Sequence, residues 1–192
     1  MRAILPTNHI KVVLFFDSPR VHSFELFKNN SRLIDYDADL YCLALTVDGI
    51  VETNDDLVFF NNISNGNGSI CAYGDCISAC PDCGDDSVEI NLSLIPAQYH
   101  TILVICHLYE ANQRGQSFDD GESTVQIQKL QEVGCKGEVL FNHSVLSNIG
   151  TPDTLELCRI TRTENNWEVV FPQEPGIKTD FKDYLKSFGV NV

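Results

Sequence analysis

The stretch SVEINLSLIP, residues 87 to 96, decides the fold class. Its apolar residues Val88, Ile90, Leu92 and Leu94 alternate with Glu89, Asn91 and Ser93. A period of two puts one set on each face of a strand, so the segment reads as a strand with one face in a core and one in water. Segments of similar length and β-rich composition recur on both sides of it. They are KVVLF (11–15), DLYCLALTV (39–47), DLVFFNN (56–62), TILVICHLY (101–109), TVQIQKL (124–130), GEVLFNHSV (137–145), TLELCRITR (154–162) and NWEVVF (166–171). Between them stand Asp48-Gly49, Asn65-Gly66-Asn67-Gly68 and Asn165-Asn166, residues that tolerate positive φ or tight reversal. About nine short strands joined mainly by turns predict an all-β fold, an antiparallel two-sheet β-sandwich.

TDFKDYLKSFG (179–189) has a different period. Phe181, Tyr184, Leu185 and Phe188 recur at helical spacing, with Thr179 or Asp180 as N-cap and Gly189 as stop, and predict a C-terminal helix docked on the sandwich. At 192 residues the chain is long enough for one substantial core, and 1–192 reads as one domain without repeats or linkers.

The formal net charge of −14 sets the electrostatics. Such a field repels phosphate backbones and anionic membranes and attracts cations where carboxylates converge, which argues against nucleic-acid partners. MRAILPTNHIKVVLFF is broken by polar residues before it reaches signal-peptide length, and ILVIC (102–106) is too short to span a bilayer. The expectation is a cytoplasmic protein without membrane insertion, its eight cysteines reduced. Cys42, Cys106, Cys135 and Cys158 fall in or beside apolar segments and read as core thiols.

Two metal chemistries compete in GDCISACPDCGDDS (74–87). Cys76, Cys80 and Cys83, with Cys71 upstream, have a spacing that can close a tetrahedral thiolate site for zinc. Asp75, Asp82, Asp85 and Asp86 offer hard oxygen of the kind calcium takes. Further acidic and amide groups stand where strands should begin or end: Asp17, DYDAD (35–39), NDD (54–56) and Asn61-Asn62. DYDAD is not an EF-hand, because the positions requiring Gly and Glu hold Leu40 and Thr46. A calcium site in this chain therefore has to be assembled from separate loops.

The blocks IDYDADLYCLAL, DDLVFFNN, GSICAYGD, GDDSVEINLSLIPAQ and YEANQRGQSF, in this order, resemble the TerD family of tellurium-resistance and stress-response proteins. The resemblance runs over residues 12 to 171 and implies a β-sandwich that binds calcium through acidic loops. Carried over position by position, it implies Asp35 and Asp37, Asp17, Asp56 with Asn61 and Asn62, Asp75, and Asp85 with Asp86 as calcium ligands, with Asp82 near a further acidic position. The chain departs from the pattern at Cys76, in SACPDC, at Ser87 and in PQEPGIKTDFKDYL, so it is a divergent member.

The functional expectation is a non-enzymatic calcium-binding protein working with other proteins of a stress or resistance system. The alternative is a protein–protein interaction module whose four-cysteine loop is stabilised by zinc. Catalysis by Cys106 and His107 is disfavoured, because neighbours in a strand point to opposite faces. No nucleophile elbow, zincin or phosphate-loop motif occurs.

Overall fold

The computed structural model describes residues 1–17, 36–73, 86–130, 137–145 and 152–192, and for Asp17 the backbone alone. The strands are β1 (Arg2–Ile4), β2 (His9–Asp17), β3 (Ala38–Thr46), β4 (Leu57–Val58), β5 (Ile70–Tyr73), β6 (Asp86–Asn91), β7 (Tyr99–Leu108), β8 (Glu122–Lys129), β9 (Glu138–Val145), β10 (Thr154–Arg162) and β11 (Trp167–Val170). Two short helices, α1 (Ala111–Arg114) and α2 (Phe181–Lys186), complete the described elements with two 3-10 turns. One sheet has the order β1-β11-β10-β7-β3-β4 and the other β5-β6-β2-β8-β9. All neighbouring strands are antiparallel. This is the expected two-sheet sandwich.

The core lies between the sheets. Ile10, Val12 and Leu14 of β2, Val88 and Ile90 of β6, and Val125 and Ile127 of β8 meet Leu40, Cys42, Ala44, Ile102, Val104, Leu155 and Ile160 from the other sheet. The run Leu40–Leu45 is buried at every position because both its faces are covered. Its outward residues Tyr41, Leu43 and Leu45, with Leu103 and Ile105 of β7, pack under Leu185, Phe188 and Val190. That second cluster is what the C-terminal helix is for.

α2 is shorter than TDFKDYLKSFG. Asp180 is the N-cap, its Oδ1 accepting from the amides of Lys182 (2.9 Å) and Asp183 (3.3 Å). Gly189, at φ +82°, makes the left-handed turn after the helix. Glu156 of β10 holds the helix to the sheet by accepting two bonds from Arg159 (2.7 and 2.8 Å) and one from the Tyr184 hydroxyl (3.0 Å). At the opposite end of β10, Arg162 donates to the carbonyls of Ile95, Pro96 and Tyr99 and lies 4.4 Å from the Trp167 ring centre. Its planar fork ties the β6–β7 connection to the sheet in a way lysine cannot reproduce.

Three expectations change. SVEINLSLIP is a strand only as far as Asn91, whose side chain and carbonyl accept from the amides of Ser93 and Leu94, and Leu94 is 51% exposed. DLVFFNN is extended only at Leu57–Val58; Phe59 and Asn62 then exchange both backbone hydrogen bonds at 3.0 Å in a tight turn. β1 and β5 escape notice in the sequence because each is too short to show a period. Cys42, Cys106 and Cys158 are buried as expected, and Cys135 lies outside the described residues.

Candidate functional site

The direction of the strands sorts the acidic residues into two ends. β3 leaves one end at Ala38, opposite Leu108 of β7, and reaches the other at Thr46, opposite Tyr99. The ends are therefore roughly 30 Å apart, the length of a ten-residue strand.

Asp37 and Asp39 belong to the first end, where the Asp37 carbonyl accepts from the Tyr109 amide at 2.9 Å. Asp86 opens β6 in the other sheet and arrives at the same end, its Oδ2 accepting from the Leu40 amide at 2.7 Å. The reason is local. β4 pairs with β3 only at Cys42 and Leu43, so the Leu40 amide beyond it is met by a carboxylate instead of a strand. The second oxygen of Asp86 accepts from the Ser87 amide at 2.7 Å. The backbone of Asp17 ends β2 here as well, opposite Glu122 of β8.

The connections at this end add more carboxylates. Glu110 precedes α1 at φ +53°, a left-handed conformation uncommon for a side-chain-bearing residue, and its carboxylate lies 3.5 Å from Arg114. Arg114 also sits 5.2 Å from the Tyr109 ring centre. Asp120 accepts from the Tyr36 hydroxyl (2.8 Å) and the Ser117 amide (2.7 Å). Asp153 accepts from Thr154 and Asn112. Asp39, Glu110, Asp120 and Asp153 were not among the expected ligands. Asp39 and Glu110 lie inside the blocks DYDAD and YEANQRGQSF, so the sequence signal marks their segments.

The expected residues divide as follows. Asp37 and Asp86, with the backbone of Asp17, come together at this end. Asn61 and Asn62 lie on the turn after β4, beside Tyr41, whose ring stacks on Phe59 at 5.4 Å. The Asn61 side chain is exposed, while that of Asn62 donates to the Leu57 carbonyl at 2.7 Å. Asp56 is at the opposite end and 5% exposed, with one oxygen accepting from the amides of Glu52 (3.0 Å) and Thr53 (2.9 Å) and the other from the Tyr99 hydroxyl (2.7 Å). Asp35, Asp75, Asp82 and Asp85 lie outside the described residues, as do Cys76, Cys80 and Cys83. Cys71 is in β5, its sulfur 3.5 Å from the Ser64 hydroxyl. Among the described residues no three His, Cys, Asp or Glu side chains are grouped closely enough to hold a metal ion.

All the tyrosines titrate late. Burial, and then Asp39, Asp37 and Asp86 among its neighbours, push the Tyr41 hydroxyl up strongly. Tyr36 is pushed up to about 12 by burial and by its bond to Asp120. Burial is also the first cause at Tyr73, Tyr99 and Tyr184, and the bond to Glu110 at Tyr109. A pKa raised in the folded state contributes stability that is complete below the unfolded value near pH 10 and is lost above it. Tyrosinate absorbance is therefore expected to stay flat through about pH 10 and to rise together with unfolding. Ionisation of several tyrosines at the ordinary midpoint in the folded protein would contradict these environments.

His107 and Cys106 do face opposite ways: His107 stacks on Phe181 at 4.0 Å and bonds Thr154 at 2.9 Å, while Cys106 is in the intersheet core. Burial raises the thiol pKa values of Cys42 and Cys158, which makes both poor nucleophiles at neutral pH.

The fold and this end define a class, a β-sandwich whose two sheets gather carboxylates at one end. Residues 10–188 match the TerD domain, and the chain belongs to that family. General stress protein 16U of Bacillus subtilis (strain 168) and tellurium resistance protein TerD of Serratia marcescens are each 31% identical to it over 84 residues. Those matches span 44% of this chain and 44% of each relative, less than half of their length. A crystal structure of a homologue of telluride resistance protein (TerD) from Streptomyces coelicolor A3(2) shares the fold, with a TM-score of 0.64 at 14% identity over 93% of this chain and 95% of that one. No helix among the described residues is long and apolar enough to cross a membrane.

Proposed function

We propose that this TerD-family chain is a non-enzymatic Ca²⁺-binding module acting in the cytoplasm with other proteins of a tellurium-resistance or stress system. The observation that supports it is that Asp37, just before β3, and Asp86, at the start of β6 in the other sheet, lie at one end of the sandwich that also carries Asp39, Glu110, Asp120 and Asp153. The donor chemistry fits. These are hard oxygens of the type that calcium, with its six to eight ligands, takes in preference to nitrogen or sulfur. The two Asp86 oxygens accept from the amides of Leu40 and Ser87, which hold the carboxylate in place at this end. Asp35, Asp75, Asp82 and Asp85 are proposed as further ligands from the sequence resemblance alone.

In this reading the chain's own residues hold and orient the donors. The Leu40 amide fixes Asp86, and Arg114 holds Glu110. The bond from Tyr36 fixes Asp120. The ion would supply the positive charge that lets like charges sit together. Asp56 and Asn62 have a different task, since their hydrogen bonds hold the loops on either side of β4.

Calcium titration by calorimetry tests the assignment. Asp37→Asn keeps shape and removes charge, Asp86→Asn removes charge and one of its two backbone hydrogen bonds, and each is expected to weaken binding by about tenfold or more, because affinity in oxygen sites follows ligand charge. Asp56→Asn is expected to leave the affinity unchanged. Equal affinity in all three variants and the parent would rule out a site at this end.

A further inference from the structure

We propose that Asn67 is a modification site: in the folded protein its side-chain amide is lost by spontaneous deamidation, while that of Asn65, in the same motif, is protected. Asn65-Gly66 and Asn67-Gly68 are the two Asn–Gly bonds of the chain. Glycine has no side chain to hinder its own nitrogen, so these are the bonds at which the reaction is easiest. The turn lies at the end of the sandwich where β6 finishes, the Asn91 amide donating to the Ser69 carbonyl at 2.8 Å. It shares no residue with the carboxylate end, and the proposal is independent of calcium.

The step begins when the nitrogen of the following glycine forms a bond to the asparagine Cγ. The bond from Cγ to Nδ2 breaks, and Nδ2 leaves as ammonia with the glycine N–H proton. Water then opens the five-membered imide, leaving either aspartate or its isomer, in which the main chain runs through the side-chain carbonyl.

The two bonds are chemically alike in the unfolded chain, and the fold separates them. Asn65 is 6% exposed; its Oδ1 accepts from the Ile70 amide at 3.0 Å and its Nδ2 donates to the Ser69 hydroxyl at 2.9 Å, both bonds buried. Turning Cγ towards Gly66 strands these groups where water cannot replace the lost partners. Asn67 is exposed. Its Nδ2 donates to the Leu94 carbonyl at 2.9 Å, its Oδ1 accepts from the Ser69 amide at 3.0 Å, and the attacking nitrogen, that of Gly68, donates to the Asn65 carbonyl at 2.9 Å. These bonds belong to an exposed turn, and water takes their place when the turn opens. Deamidation then puts an acceptor where the Leu94 carbonyl had a donor, which unties the β4–β5 connection from the β6–β7 connection.

Peptide mapping by mass spectrometry tests this on the intact folded protein, held in mildly alkaline buffer and sampled over time, with the same chain in denaturant as reference. Asn67 is expected to convert at least about tenfold faster than Asn65 in the folded protein, the factor for stranding one buried partner, and at about the same rate as Asn65 in denaturant. Ser69→Ala, which removes the acceptor of the Asn65 amide, should raise the Asn65 rate about fivefold. The proposal fails if Asn65 keeps pace with Asn67 in the folded protein, or if Asn67 stays intact while the denatured reference converts. It also fails if folded Ser69→Ala leaves the Asn65 rate unchanged, and should that variant not fold, the comparison of the two positions in the parent decides.

Discussion

Asp56→Ala is expected to lower the thermal midpoint by the same amount in calcium and in chelator. Removing the buried carboxylate leaves the Tyr99 hydroxyl and the amides of Glu52 and Thr53 without their acceptor. Stranding buried donors that faced a charge costs about 3–4 kcal/mol in total, or about 10 °C for a chain of this size. Asp37→Ala should behave in the opposite way. Its side chain is exposed, so the chelator midpoint should barely move, and the effect should appear only when calcium is present. A calcium-dependent loss in Asp56→Ala would return that residue to the ligand set and break the two-ended description of the sandwich.

Leu185→Ala and Phe188→Ala are expected to be the most destabilising substitutions in the C-terminal segment. Leu185 is 2% exposed and Phe188 9%, and both cover Tyr41, Leu43, Leu45, Leu103 and Ile105 on the outer face of the first sheet. Large-to-small changes at such positions cost about 2–5 kcal/mol, part of it from the cavity left behind. Lys182→Ala, on the exposed side of the same helix, should stay within about 0.5 kcal/mol of the parent in a denaturant melt. If the two buried variants were as stable as Lys182→Ala, the helix would not be docked as described.

The two expectations explain why some of the molecule was legible in its sequence and some was not. β7 carries the continuous apolar run Ile102–Cys106, β10 intersperses Leu155, Leu157, Cys158 and Ile160 with polar residues, and β2 and β8 contain β-branched residues, so strand type follows from composition and period. LYCLAL already has the continuous apolar run of a strand covered on both faces. The helix spacing of Phe181, Leu185 and Phe188 supplies the cover. Strand ends are harder, because Leu94 keeps the period of SVEINLSLIP although the Asn91 side chain has already turned the chain.

The candidate site was legible by residue type and not by placement. An aspartate that binds a cation and one that closes a capping box from within the core look alike in a sequence, and Asp56 stands in a capping box. What brings Asp86 to the end of β3 is the contact of two sheets through residues 40 and 86, and neither local period nor turn chemistry encodes that. Glu110 shows the converse: its segment was visible, but the left-handed backbone that aims it was not.

The most direct measurement of the central claim is the thermal midpoint of the parent protein with saturating calcium and with chelator. A ligand at ~100 times its dissociation constant stabilises the folded state by about 2.7 kcal/mol, which predicts a midpoint about 5–10 °C higher in calcium. Asp86→Asn should lose most of that difference. Superimposable parent melts in calcium and chelator would contradict the account.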